Sequence, residues 1–128
     1  MYNLGGLSCG IYNTSSPATV KYISEHAPLD IIVIQNKQWL QNILDKEPSI
    51  TDSVNNFILM EHPGDDKLAG NVLHWDDFIE QGKHINDQIL DEKEKNQAIN
   101  KACMLMYTSG TTGPPKGIMI YKIFNVQA

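Results

Sequence analysis

The chain has 128 residues, of which 41% are apolar and 20% charged, so it has enough apolar content for a packed core and is not intrinsically disordered. Its formal net charge is −5, and all ten of its cations are lysines. Because arginine supplies the bidentate fork that grips phosphate backbones and reads bases, this composition argues against a nucleic-acid-binding protein.

The sequence also bears on the cellular compartment. No apolar run approaches the roughly 20 residues that a membrane span needs, so no transmembrane segment is predicted. The N-terminus lacks the cationic and apolar regions of a signal peptide. Cys9 and Cys103 stand too far apart for a metal knuckle or a redox pair, which indicates a reducing compartment. We therefore expect a soluble, cytoplasmic protein.

The first part of the chain predicts strand, helix, strand and helix in that order. Residues 8–12 form a short strand candidate, and Ser16 followed by Pro17 is typical of a helix start. Residues 30–34 are apolar and largely β-branched, which is typical of a central strand in a parallel sheet. Asn36 caps a second helix. The apolar positions of this helix fall at helical spacing: Trp39, Leu40, Ile43 and Leu44.

The alternation continues to the end of the chain. The further predicted elements are a buried strand over 57–60, a short helix over 74–82, a charged helix over about 86–95, a buried strand over 102–107, a long turn over 108–117 and a final strand over 118–124. The short helix is expected to turn three apolar residues inward: Trp75, Phe78 and Ile79. This order predicts an α/β fold, with a largely parallel sheet and flanking helices.

One segment concentrates residues suited to phosphate binding. Residues 107–117 read Tyr-Thr-Ser-Gly-Thr-Thr-Gly-Pro-Pro-Lys-Gly after a buried strand. Glycines let the backbone approach a phosphate, hydroxyls add donors, and Lys116 adds a positive charge. Pro114 and Pro115 carry no N–H group, so a backbone cradle has to come from residues 108–113. Because Lys116 precedes Gly117 and not Ser or Thr, this is not a Walker A loop, and a plain surface loop has a similar composition.

The string resembles the phosphate-binding signature of AMP-forming adenylating enzymes, a group that includes acyl-CoA synthetases, luciferases and the adenylation domains of peptide synthetases. Residues 5–17, with Gly-Gly, Gly-Ile-Tyr and Ser-Ser-Pro, are most similar to the bubblegum-type branch of the long-chain fatty acyl-CoA synthetases. The resemblance covers residues 4–119. It implies that residues 1–119 are part of an N-terminal AMP-binding domain, and it leaves 120–128 as an atypical tail.

The resemblance implies a chemistry in two steps. The carboxylate of a long-chain fatty acid attacks the α-phosphate of Mg-ATP to give an acyl-adenylate, and coenzyme A then displaces AMP to form a thioester. Either Thr111 or Thr112 is implied as a contact for Mg²⁺. The residues implied to hold the ATP phosphates are Thr108, Ser109, Gly110, Thr111, Thr112, Gly113, Pro114, Pro115 and Lys116.

The sequence departs from the family after Met119, where the family continues with a Ser-His-like pair and a helix. The downstream family motifs are missing, so no catalytic residue is assigned, and we expect an internal piece of a ligase that is inactive alone. Peripheral membrane association of the parent enzyme is left open. Two alternatives stay open as well: a short non-catalytic protein that binds a nucleotide or a partner, and a non-functional truncated product. The histidines at 26, 62, 74 and 84 lack metal-ligand spacing.

Overall fold

The computed structural model describes residues 5–62, 64, 70–96, 101–108 and 113–121. The chain divides into two compact units, which we call the core unit (Thr14–His84) and the loop unit (Met1–Asn13 with Ile85–Ala128). In chain order the elements are β1 (Ser8–Gly10), α1 (Pro17–His26), β2 (Ile31–Ile34), α2 (Lys37–Lys46), α3 (Ile50–Ser53), β3 (Asn56–Leu59), β4 (Val72–His74), α4 (Trp75–Gly82), α5 (Asp87–Lys95), β5 (Ala102–Thr108) and β6 (Lys116–Tyr121).

The core unit contains a parallel sheet in the order β2-β3-β4, with helices around it. Ile32 pairs with Phe57, which in turn pairs with Val72. Past the strand ends, the N–H of Met60 still donates to the carbonyl of Ile34 at 2.8 Å. The predicted α/β class with parallel strands is therefore confirmed in this unit.

The first two predicted helix starts are confirmed. The Ser16 hydroxyl accepts from the N–H of Thr19 at 3.2 Å, and Pro17 is the first residue of α1. The Asn36 side-chain oxygen accepts from the N–H of Trp39 at 2.8 Å and caps α2. Each cap satisfies an N–H group that has no partner within its own helix, which stabilises a helix by about 1 kcal/mol.

Apolar side chains from the sheet and from α1, α2 and α3 form the interior of the core unit. Phe57 is wholly buried on the middle strand, and α1 packs on both α2 and α3. Full burial of an aliphatic or aromatic side chain contributes about 1.5–3 kcal/mol. The buried apolar residues of this unit are Val20, Ile23, Ile32, Ile34, Leu40, Ile43, Ile50, Val54, Phe57, Ile58, Leu59 and Val72.

Two expectations for the core unit need correction, and one of its strands was not predicted. The strand β2 lies at an edge of the described sheet, and Val33 is 45% exposed, so residues 30–34 are not a central strand here. Trp75 and Ile79 of α4 are 36% and 46% exposed, because no described element covers that side of the helix. The strand β4 was not predicted, because three residues are too few to show a period.

The loop unit contains a mixed sheet in the order β1-β5-β6. Cys9 pairs with Leu105 in a parallel register, whereas β5 and β6 form an antiparallel hairpin. Leu105 and Tyr107 are buried, while Met104 and Met106 on the other face are exposed. The strand predicted as buried over 102–107 is therefore buried on one face only, and the last strand adds an antiparallel pair to the largely parallel arrangement.

The helix of the loop unit begins as predicted. The Asn86 side-chain oxygen accepts from the N–H of Gln88 at 2.9 Å and caps α5, which runs over Asp87–Lys95 and buries none of its residues. The final strand, β6, begins two residues earlier than predicted and is described as far as Tyr121. Among the described residues, no helix is long and apolar enough to cross a membrane.

Candidate functional site

The candidate site is the connection between β5 and β6. Thr108 is the last residue of β5 and Lys116 the first of β6, and the two are direct partners in the ladder. Directly paired residues point to the same face of a sheet, so the Thr108 hydroxyl and the Lys116 side chain share one face. The hairpin thus brings a donor and a cation together at the base of the loop.

This geometry corrects the predicted extent of the turn. The sequence predicted a turn over 108–117, but Thr108, Lys116 and Gly117 belong to paired strands. A residue in a ladder has its backbone fixed by its neighbours, whereas a residue in a turn is fixed by the turn alone. Lys116 is therefore anchored by β-sheet pairing at its backbone, and its exposed side chain extends from a rigid base.

The described end of the loop is shaped by glycine and proline. Gly113 has a φ of +126°, a conformation that residues with a side chain rarely adopt. Pro114 and Pro115 follow, and each proline ring fixes its own φ at about −65°. The backbone therefore enters β6 along a restricted path that ends at Lys116.

The structure places only part of the predicted phosphate set. Thr108 and Lys116 meet at the base of the loop, and Gly113, Pro114 and Pro115 form its second half. Ser109, Gly110, Thr111 and Thr112 lie outside the described residues. The assignment of phosphates to this set, and of Mg²⁺ to Thr111 or Thr112, accordingly stays a prediction.

The loop base carries a positive charge on a protein that is otherwise acidic, with a net charge of −5. Lys116 is exposed, and within the described part of the chain no carboxylate forms an ion pair with it. The Lys116 ammonium and the Thr108 hydroxyl are thus two described side-chain donors on one face of the loop base. Such a pair suits an anion with several oxygens, because both groups donate hydrogen bonds.

Two residues at the loop base belong to the quoted 107–117 motif, but sequence reasoning assigned them no role in the site. Tyr107 is buried, and its ladder partner is Gly117. A β-carbon added at Gly117 would stand 3.3 Å from Leu105 Cδ1 and 3.4 Å from Tyr107 Cζ. A glycine inside a strand often marks a close approach of neighbouring groups, but this signal was hidden because Gly117 was predicted to lie in the turn.

A second polar cluster lies where the strands of the core unit end. The Glu61 carboxylate accepts from the N–H of Lys37 at 2.7 Å, at the start of α2. The rings of His62 and His74 meet edge to face, with 5.0 Å between their centroids. His74 Nδ1 also accepts from the N–H of Asp76 at 3.3 Å and caps α4.

The contacts of this cluster are those of helix capping. Carboxylate and imidazole acceptors at helix starts satisfy N–H groups that have no partner within the helix. A carboxylate there also interacts favourably with the positive end of the helix dipole. Across the described ranges, no three His, Cys, Asp or Glu side chains are grouped to hold a metal ion. The sequence could not have found the histidine contact, because it depends on β3 and β4 lying side by side.

Comparison with known proteins gives a consistent result. The family model described as "AMP-binding enzyme" matches residues 1–127. The chain is 40% identical over 116 residues to the long-chain-fatty-acid–CoA ligase ACSBG2 of Homo sapiens and 36% identical to ACSBG1 of Mus musculus. These matches cover 91% of this chain, but only 17% and 16% of the two relatives.

Solved structures are similar in fold. The anthranilate CoA ligase AuaEII, in complex with anthranoyl-AMP, matches with a TM-score of 0.63 and 17% identity over 93% of this chain and 21% of its own. The luciferase-like enzyme of the nonluminescent Zophobas morio mealworm matches with a TM-score of 0.59 and 17% identity over 93% of this chain and 25% of its own. The predicted resemblance to adenylating enzymes, and to the bubblegum-type acyl-CoA ligases among them, is confirmed.

Proposed function

We propose a function for this chain from one premise: the chain belongs to the AMP-binding enzyme family. We propose that it supplies the phosphate-binding loop of a long-chain fatty acid–CoA ligase that forms an acyl-AMP intermediate. The observation that carries the proposal is the 107–117 string on a hairpin whose base pairs Thr108 with Lys116. The chain spans about a sixth of its curated relatives, so ligase activity is proposed for a protein of their length.

The proposed reaction has two bond exchanges. A carboxylate oxygen of the fatty acid forms a bond to the α-phosphorus of ATP, and the bond from that phosphorus to the β-phosphate oxygen breaks. Pyrophosphate leaves with the electron pair. The coenzyme A thiolate then forms a bond to the acyl carbon, the bond from that carbon to the phosphate oxygen of AMP breaks, and AMP leaves with that electron pair.

The part of this chain in that chemistry is to hold the leaving group. Negative charge grows on pyrophosphate as the α–β bond breaks, and a fixed cation nearby lowers the energy of that state. Lys116 supplies the cation from the first residue of β6, and Thr108 supplies a hydroxyl from its ladder partner. Backbone N–H groups of residues 109–113 complete the proposed cradle.

The other ligands are proposed on the motif and the family. Mg²⁺ accompanies ATP and neutralises phosphate charge, and either Thr111 or Thr112 is proposed to contact it. No carboxylate among the described residues stands at the loop base with Lys116, so we assign the ion no further ligand here. Fatty acid and coenzyme A are proposed substrates of the longer enzyme. The cytoplasm, with peripheral membrane association left open, is the proposed compartment.

Binding of pyrophosphate and ATP to the 128-residue chain tests the proposal. Lys116→Met removes the cation and retains a side chain of similar length. We expect isothermal titration calorimetry at an ionic strength of about 0.1 M, where the Debye length is about 10 Å, to show at least a tenfold loss of pyrophosphate affinity. Equal affinity of Lys116→Met and the unaltered chain would contradict the proposal.

Lys101→Met is the matched control. Lys101 immediately precedes β5 and lies about 20 Å from the loop, since each strand residue adds about 3.4 Å. The two variants have the same net charge, so any general attraction of anions changes equally in both. Lys101→Met is expected to keep pyrophosphate affinity within about twofold, because charges at that distance are largely screened. An equal loss in both variants would indicate attraction by net charge and not a site.

A further inference from the structure

We propose that Gly117 and Tyr107 are positioning residues for the loop: the missing side chain at Gly117 lets the Tyr107 ring lie against β6, and this contact holds Lys116 opposite Thr108. The inference deepens the proposed function and rests on it for the identity of the anion. Neither residue is proposed to touch the anion.

The first step is the ladder. Tyr107 pairs with Gly117, and the next pair along the same two strands is Thr108 with Lys116. No residue intervenes between the two pairs on either strand. A change in the separation of the first pair is therefore transmitted directly to the second, because adjacent residues of a strand are joined by one rigid peptide unit.

The second step is the space above Gly117. Leu105 and Tyr107 lie on the same face of β5 as the position where a Gly117 side chain would project. A β-carbon there would be 3.3 Å from Leu105 Cδ1, 3.4 Å from Tyr107 Cζ and 3.5 Å from Tyr107 Cε1. A β-carbon at 117 would thus crowd Leu105 by a few tenths of an ångström and would touch the Tyr107 ring at ordinary contact distance.

The third step is burial. Leu105 and Tyr107 are the buried apolar side chains described in the loop unit, so neither can swing into solvent without exposing apolar surface. A methyl group at 117 needs a few tenths of an ångström at Leu105 Cδ1, and because that side chain is buried we expect β6 to supply part of this movement.

The consequence concerns Lys116. It is the first residue of β6, so displacement of Gly117 shifts the point from which the lysine extends. Shifts of a few tenths of an ångström weaken a multidentate anion site, because several hydrogen bonds must reach their short distances together. The motif therefore needs glycine after lysine for packing against β5, and this requirement is separate from phosphate contact.

The test compares three variants of the full chain, with pyrophosphate as the probe. Gly117→Ala is expected to lower pyrophosphate affinity about fivefold to tenfold. Leu105→Val with Gly117→Ala removes the nearest atom, Cδ1 of Leu105, and is expected to return the affinity to within about twofold of the unaltered chain. Gly10→Ala is the control. Gly10 lies on β1, a neighbouring strand of the same sheet, and a β-carbon added there meets nothing within 4 Å.

Amide hydrogen exchange without ligand separates failure of this inference from failure of the proposed function. Protection of residues 107–108 and 116–118 is expected to fall at least tenfold in Gly117→Ala and to recover in the double variant. If the unaltered chain binds no pyrophosphate while these exchange changes appear, the proposed function fails and the packing inference holds. Unchanged exchange and affinity in Gly117→Ala overturn the inference, as does a loss that the Leu105→Val change leaves unrepaired.

Discussion

The core unit and the loop unit use their apolar residues differently. In the core unit, side chains from three helices and three strands are buried together around Phe57. In the loop unit the described sheet buries Leu105 and Tyr107, whereas Met119 is 56% exposed and all of β6 lies open. The comparison indicates that the candidate site lies on the less buried unit, so its geometry depends on strand pairing and on a few close contacts more than on a large interior.

The largest expected effect separates the two units by burial. Phe57→Ala should lower the free energy of unfolding by about 3–5 kcal/mol, because it removes a wholly buried ring and leaves a cavity. Met119→Ala should change it by less than about 0.5 kcal/mol, since the side chain is mostly exposed. Urea titration monitored by fluorescence suits this test, because Trp39 and Trp75, the chain's two tryptophans, both lie in the core unit. Equal effects of the two substitutions on the free energy of unfolding would contradict the difference in burial between the two units.

The next effect concerns the backbone of the loop. Gly113→Ala places a side chain at a φ of +126° and should cost the hairpin about 1–2 kcal/mol. Gly70→Ala makes the same chemical change in the core unit, where the φ is not positive and the added carbon meets nothing within 4 Å. Amide exchange of β5 and β6 is the measurement. Full protection in Gly113→Ala would show that the loop end is not constrained by its glycine.

A smaller effect compares two helix caps. Asn36→Ala should lower the stability of the core unit by about 1 kcal/mol, because the N–H of Trp39 loses its partner at the start of a helix that packs on the interior. Asn86→Ala removes the same kind of cap from α5, which buries nothing, so it should fray that helix with little effect on cooperative unfolding. Urea midpoints and circular dichroism test the pair, and Asn36→Asp should retain the cap. A larger loss at Asn86 would reverse the ranking.

The smallest effect is a dependence on pH in the loop unit. Burial raises the pKa of the Cys9 thiol above its ordinary value. The unfolded chain therefore ionises first as pH rises, so this contribution to stability is complete below the ordinary thiol pKa and is lost as pH climbs through the raised one. Urea midpoints at about pH 7 and about pH 10 should fall further for the unaltered chain than for Cys9→Ala. Parallel falls would show that Cys9 does not contribute.

Much of the local structure follows from short-range chemistry. Ser16 with Pro17, and Asn36, fix helix starts through hydrogen bonds to N–H groups within three residues, and both starts are found as predicted. The loop motif, whose residues are adjacent in the chain, also indicates the family, and the family match confirms that identification. Such features need no knowledge of which strands become neighbours.

Other features depend on pairing between distant segments. The edge position of β2, the His62–His74 contact and the Thr108–Lys116 pair all follow from strand order and register. A strand sequence is compatible with several neighbours, because backbone hydrogen bonds are the same for every residue except proline. Sequence patterns therefore limit these arrangements without selecting one.

For this protein the sequence alone determined the α/β class, the helix caps and the family, since each depends on patterns among residues that are close together along the chain. Tertiary structure decided that Lys116 starts a strand, that Thr108 lies opposite it, and that Gly117 faces Leu105 and Tyr107. The physical reason is that a β-sheet brings together residues far apart in sequence, and their side chains then compete for the same space.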